Sequence, residues 1–218
     1  MRRHDLAYLR SGCACRCPAP GPVNALVKWI AAGLPLVVTR QDAPQADEVQ
    51  LALTLPARLG RQRLACFVKR TAVLRVRPPL PLSGCLARLD APTRAVLVRL
   101  DAAILASGAE LGIYGSLAWE ALSGESYRHA ASDIDLICDI ESRAQLRICL
   151  AALAAAARHA VAIDGELRFP GGDAVAWREL LACCDQPGAQ VLVKGTQAVA
   201  LKRVAALLTT LREEPLHA

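Results

Sequence analysis

Aromatic side chains are scarce in this chain: two Phe, three Tyr and three Trp in 218 residues. A groove for single-stranded nucleic acid stacks bases on aromatic rings along a basic track, so the scarcity argues against nucleic acid as a partner. Long apolar runs are also missing. Trp29–Val38 is broken by Gly33 and Pro35, and no stretch reaches the ~20 residues of a membrane-spanning helix. No apolar h-region follows Met1-Arg2-Arg3-His4-Asp5, so neither a secretory signal nor a membrane anchor is expected. No Cys-x-x-Cys pair occurs, and the nine cysteines are an odd number. A reducing, cytoplasmic setting with free thiols is the simplest expectation. Cys13, Cys15 and Cys17 alternate just before Pro18. That spacing is wrong for a zinc ribbon and favours an exposed Cys-rich loop over a metal site. Cys183-Cys184 read as packing residues on a helix.

What the chain does have is apolar and basic. Hydrophobic residues make up 54%, charged residues 21%, and the net charge is +6. That composition is globular, with length enough for one good core or two small ones. No acid occurs from Val49 to Leu89, where Arg58, Arg61, Arg63, Lys69, Arg70, Arg75, Arg77 and Arg88 all fall. The run is either a solvated surface or a docking face for an acidic carrier protein or the phosphates of a CoA derivative. Pro78, Pro79 and Pro81 then mark a boundary. It separates a smaller, basic N-terminal α+β domain, 1–80, from a second domain, 81–218.

Periodicity predicts helices over Val23–Ala32, Ala91–Ser107, Glu141–His159, Ala174–Cys184 and Gln197–Arg212. The expected inward stripes are Leu26, Val27 and Ile30 in the first and Val96, Leu97, Leu100, Ile104 and Leu105 in the second. Strands are expected over Leu34–Thr39, Phe67–Val76, Val161–Phe169 and Gln190–Lys194, with a loop or helix start over Gln41–Glu48. The alternation predicts an α/β (α+β) fold, a mixed sheet flanked by helices.

Leu111–Ile140 is the chemical centre. An apolar strand ends in Gly115-Ser116, the helical Leu117–Leu122 follows, and a second strand carries Asp133 and Asp135. Positions i and i+2 of a strand share a face, so the two aspartates project together while Ile134 and Leu136 enter the core. Adjacent carboxylates repel unless a cation sits between them, and Mg²⁺ is the expected ion. Gly115 allows a close backbone approach, and Ser116 sits where free helix N–H groups attract phosphate. A lone Asp-x-Asp is common and usually means a solvated strand or turn; the ordered combination points to phosphoryl or nucleotidyl transfer. Such a site needs a third acid. Asp164 and Glu166 are the candidates, on one face of a later strand, and the sequence does not choose between them. The competing reading makes Asp164-Gly165 a tight hairpin turn.

The order strand, Gly-Ser, helix, Asp-apolar-Asp resembles the nucleotidyltransferase superfamily of the DNA polymerase β type. Tyr114–Gly124, Ser132-Asp133-Ile134-Asp135-Leu136, Asp164-Gly165-Glu166-Leu167, Ala174–Leu180 and Val191-Leu192-Val193-Lys194 together resemble the phosphoribosyl-dephospho-CoA transferases of malonate decarboxylase, also called holo-acyl-carrier-protein synthases. Arg3-His4-Asp5-Leu6 and Gly33–Val38 are similar to that family too. The Cys13–Cys17 cluster has no counterpart in the resemblance.

The resemblance implies a polymerase-β-like sheet and a specific reaction. The donor is 2′-(5″-triphosphoribosyl)-3′-dephospho-CoA, the acceptor a serine of the apo acyl carrier protein of malonate decarboxylase, and pyrophosphate leaves. Asp133 and Asp135 hold Mg²⁺, and Gly115 and Ser116 cradle phosphate. Ser132 and Lys194 join the substrate-binding set. Two alternatives remain: AMP transfer from ATP to another acceptor, and a non-catalytic nucleotide-binding or carrier-docking module.

Overall fold

The computed structural model describes residues 1–18, 21–42, 45–159 and 161–213. The fold is mixed α/β, with two sheets, six α-helices among the described residues and no closed barrel. It is consistent with a nucleotidyltransferase-like α+β architecture.

The first sheet forms from β1 (Leu6–Leu9), β2 (Leu36–Val38), β3 (Glu48–Thr54), β4 (Arg63–Lys69) and β5 (Val73–Arg77), with α1 (Val23–Ala31) packed on it. Its order is β4-β3-β2-β1-β5, antiparallel throughout. The single strand expected over Phe67–Val76 is therefore two. The chain turns at Arg70–Ala72 to carry β5 to the opposite edge beside β1. β3 had no counterpart in the sequence reading. Residues 43 and 44 of the expected loop lie outside the described residues. Leu26 and Ile30 of α1 are buried, but Val27 faces solvent and Trp29 takes its place in the core.

Cys13, Cys15 and Cys17 are half-buried against this first core, which corrects the expectation of an exposed loop. Paired backbone hydrogen bonds between Arg16 and Phe67 hold their segment onto β4. All nine cysteines are free thiols, and Cys183 and Cys184 pack against the second core.

The second unit begins with α2 (Ala91–Ala106), capped by the Asp90 carboxylate, which accepts from the Thr93 N–H at 2.8 Å. Val96, Leu97, Leu100 and Ile104 are buried; Leu105, one residue past the stripe, is 67% exposed. Then come β6 (Glu110–Tyr114), α3 (Gly115–Ser123), β7 (Ile134–Asp139), α4 (Arg143–Ala156) and β8 (Ile163–Arg168). α4 starts in a capping box of Ser142 and Gln145. β9 (Ala174–Ala176), α5 (Trp177–Cys183), β10 (Gln190–Lys194), β11 (Val199–Arg203) and α6 (Val204–Leu208) complete it.

The second sheet runs β11-β10-β9-β8-β7-β6. Only β7 and β8 are parallel, joined over α4. Two expected helices are corrected. Ala174–Ala176 pair with β8 and β10, so that helix starts at Trp177. Residues 199–203 pair along the whole of β10, leaving a helix only over Val204–Leu208. An available sheet edge outweighed the helical spacing there, and Leu201 is 62% exposed.

Trp119 of α3 leaves the second unit and enters the first core. Its ring lies edge-on to Trp29 at 5.5 Å and stacked toward Tyr127 at 6.4 Å. The helix that opens the Gly-Ser turn is thus anchored by the opposite sheet.

Candidate active site

Three adjacent elements build the site. β6 delivers Gly115 at its end, β7 places Asp135 opposite Tyr114, and β8 places Asp164 directly beside Asp135 in parallel register. Asp164-Gly165 is therefore mid-strand, not a hairpin turn. A Cβ on Gly165 would stand 2.6 Å from the Leu136 carbonyl oxygen, so this glycine lets β8 lie close against β7. The close approach it permits is to protein backbone.

Gly115 has a related role. Its φ is +65°, and a Cβ there would fall 1.8 Å from Asp135 Oδ2. The missing side chain makes room for the carboxylate. The Ser116 N–H donates to that carboxylate. Tyr114 supplies no capping side chain to α3, so the helix start directs its free dipole at Asp135. Gly115→Ala is expected to displace the carboxylate and add left-handed backbone strain of about 1–2 kcal/mol. A displacement near 1 Å costs a transferase roughly a hundredfold. Paired melting and turnover measurements check this, with the larger loss expected in turnover.

Asp135 sits among acids. Burial first, then Asp164 and Asp133, push its carboxyl up to about 6, against the pull of the Ser116 N–H. Asp133 lies one residue before β7 begins and is exposed, while Ile134 and Leu136 are buried as expected. Among the described residues, no three His, Cys, Asp or Glu close into a ready-made metal shell. The Cys13–Cys17 zinc reading gains nothing from that. Asp133 and Asp135 still fit Mg²⁺, which is ordinarily held by one or two carboxylates, water and substrate phosphates.

The two candidate third acids separate. Asp164 is exposed beside Asp135. Glu166 is only 4% exposed and has two cations and an imidazole around it. Arg3 reaches it at 3.1 Å, Lys194 at 2.9 Å and His4 at 3.5 Å. Burial alone would raise the Glu166 carboxyl, but the His4 and Lys194 hydrogen bonds and the Arg3 charge hold it well below the usual carboxylate range. Glu166 is a latch for the N-terminal segment. Lys194, assigned to phosphate in the sequence reading, has its Nζ on that latch. Ser132 closes a turn: its hydroxyl accepts from the His129 N–H at 2.9 Å.

A second latch lies beside the first. Arg168, side chain fully buried, donates to Asp139 at 2.7 Å and to the Arg3 carbonyl at 2.8 Å, and faces Asp5 at 3.5 Å. His4, at φ +70°, stacks on Tyr114 with ring centroids 3.9 Å apart. Residues 2–5 thus lie against β7, β8 and β10, interior strands of the second sheet. The sequence signal was a buried-strand arginine, Arg168, which demands a distant carboxylate; nothing local says that Asp5 and Asp139 provide it.

The family model for the phosphoribosyl-dephospho-CoA transferase MdcG N-terminal domain matches residues 2–79, and that for the MdcG C-terminal domain matches 81–205. A protein of Xanthomonas euvesicatoria pv. vesicatoria named phosphoribosyl-dephospho-CoA transferase is 37% identical, over 94% of this chain and 95% of its own. Proteins of the same name from Bradyrhizobium diazoefficiens and Pseudomonas fluorescens are 32% and 30% identical, covering 91% and 81% of this chain and 88% and 82% of their own. No solved structure matches. With both halves matched and the likeness running nearly end to end, the chain belongs to the phosphoribosyl-dephospho-CoA transferase family and is a transferase enzyme.

Proposed function

We propose that this transferase moves 2′-(5″-triphosphoribosyl)-3′-dephospho-CoA onto a serine of the apo acyl carrier protein of malonate decarboxylase, releasing pyrophosphate. The observation that carries the reading is the crowding of Asp133, Asp135 and Asp164 against the Gly115-Ser116 turn, in a chain of this family. The acids need a cation, and the turn suits the phosphate that would accompany it.

In this reading the serine oxygen attacks the phosphorus next to the ribose. The bond from that phosphorus to the bridging oxygen breaks, and pyrophosphate carries away the electron pair. Asp164, exposed and beside Asp135, takes the serine proton and passes it to water. Asp135 and Asp133 hold Mg²⁺, which when bound neutralises charge on the triphosphate and the leaving group. The first-turn N–H groups of α3 that Asp135 does not use would orient the phosphates. We further read 81–218 as the chemical unit and 1–80 as a basic unit for docking the carrier protein or the CoA arm, in a cytoplasmic setting. No described helix is long and apolar enough to cross a membrane.

Incubating apo carrier protein with the triphosphoribosyl donor, ATP and Mg²⁺ tests the reading by mass spectrometry. The expected increment is the phosphoribosyl-dephospho-CoA group; an AMP increment, or none, overturns it. Asp164→Asn is expected to slow the reaction by roughly 10²–10⁴, the span of a general base. Glu166 has no place in that step.

A further inference from the structure

A groove leads away from the site across the face of the first sheet. Its inner part, about 150 Å³, is lined by Tyr114, Gly115, Trp119 and Thr54. Its outer part, about 370 Å³, reaches Thr39, Arg40, Gln50 and Lys194. His4, Val37, Ala52 and Arg63 line both, which makes the two parts one groove ending beside Asp135. Together they have the dimensions of a small-molecule site.

Its charge is lopsided. Arg3, Arg40, Arg63 and Lys194 line the outer part with one acid, Asp42, which Arg40 already holds. Arg3 and Lys194 are held by Glu166. Arg63 stands on the edge strand β4 with its side chain exposed, and among the described residues it has no carboxylate partner. A guanidinium kept unpaired in a groove suits a bidentate phosphate contact. Val37, Ala52 and Ala65 add small apolar surface near it.

We infer that this groove binds the nucleotide arm of the donor, a nucleoside diphosphate ester, and that Arg63 grips its diphosphate. The inference rests on the proposed transferase reading. With the triphosphate at Asp135 and Gly115, the donor still has an adenosine and a 5′-diphosphate to place, and this groove is the basic continuation of the site. It gives one arginine of the acid-free stretch a task. Others there are already engaged: Arg58 by Glu125, Lys69 by Asp47, and Arg75 over the Tyr8 ring.

Dephospho-CoA shares this arm and lacks the triphosphoribosyl group, so it is the probe. Calorimetric titration into the full-length protein is expected to show binding that Arg63→Ala weakens at least roughly tenfold, the size of one charge-assisted contact. Inorganic tripolyphosphate with Mg²⁺ is expected to bind wild type and variant alike. Unchanged dephospho-CoA affinity in the variant, or no binding to wild type, overturns the subsite. Loss confined to tripolyphosphate also overturns it, because the groove would then receive the leaving group. If the carrier protein is still modified in any of these cases, only the subsite fails. If wild type binds dephospho-CoA but modifies nothing, the transferase reading fails.

Discussion

Asp135→Asn is expected to lower carrier-protein modification by on the order of a thousandfold while leaving the melting temperature level or higher. The two halves of that result have one cause. Asp135 is held where a carboxylate is uncomfortable: partly buried, with Asp164 beside it in register and Asp133 two residues before it. Only the Ser116 N–H favours its charge among the contacts that shift it most. A fold keeps such a group against local repulsion when it has work to do. Asparagine has nearly the same shape and still accepts from Ser116, but it carries no charge to hold a metal or offset developing phosphate charge. Several kcal/mol of transition-state stabilisation disappear, and each ~1.4 kcal/mol is tenfold in rate. Stability moves the other way because one of several crowded negative charges is gone. The melting comparison belongs in chelator, so that no divalent ion masks the repulsion. A variant that melts lower and still modifies the carrier protein would mean that Asp135 is structural.

Local patterns made the centre of the site legible. β6, α3 and β7 follow from apolar alternation, a glycine and an i, i+2 pair of aspartates, all within one short stretch. α2 and α4 were legible because capping residues and apolar stripes agree. What failed was decided by distant chain. Gln197–Arg212 has helical spacing, yet β10 offered an open edge and residues 199–203 took it. The choice between Asp164 and Glu166 could not be made locally. It turns on Arg3, His4 and Lys194, which come from the far end of the sequence and another strand. Gly115 is read from the sequence as a place of close approach, but what approaches is protein, the Asp135 carboxylate, and Gly165 likewise faces the Leu136 carbonyl. Spacing shows that a Cβ is unwelcome; it does not show what occupies the space.

Glu166→Gln is expected to destabilise the fold by about 3–5 kcal/mol, because it removes the buried carboxylate with which both Arg3 and Lys194 are paired. For a chain of this length each kcal/mol moves the melting temperature by about 2–4 °C, so a drop of roughly 10 °C is the expected reading. The amide can still accept from Arg3 or Lys194, but Arg3, only 15% exposed, then faces Lys194 with no anion between them. His4 loses its carboxylate partner as well, and it is His4 that stacks on Tyr114 next to Gly115. Residues 2–5 should therefore loosen from the second sheet, and the groove wall formed by Arg3 and His4 should open. Adding Arg3→Met to Glu166→Gln removes the stranded charge and is expected to recover part of the lost stability, since deleting both members of a buried pair costs less than deleting one. The same pair of variants decides the catalytic assignment. If Glu166→Gln melts like wild type but transfers nothing, Glu166 is the third carboxylate after all. If it melts early and the double variant regains both stability and turnover per folded molecule, Glu166 is the clasp that brings the N-terminal segment to the site, and Asp164 is left to take the proton.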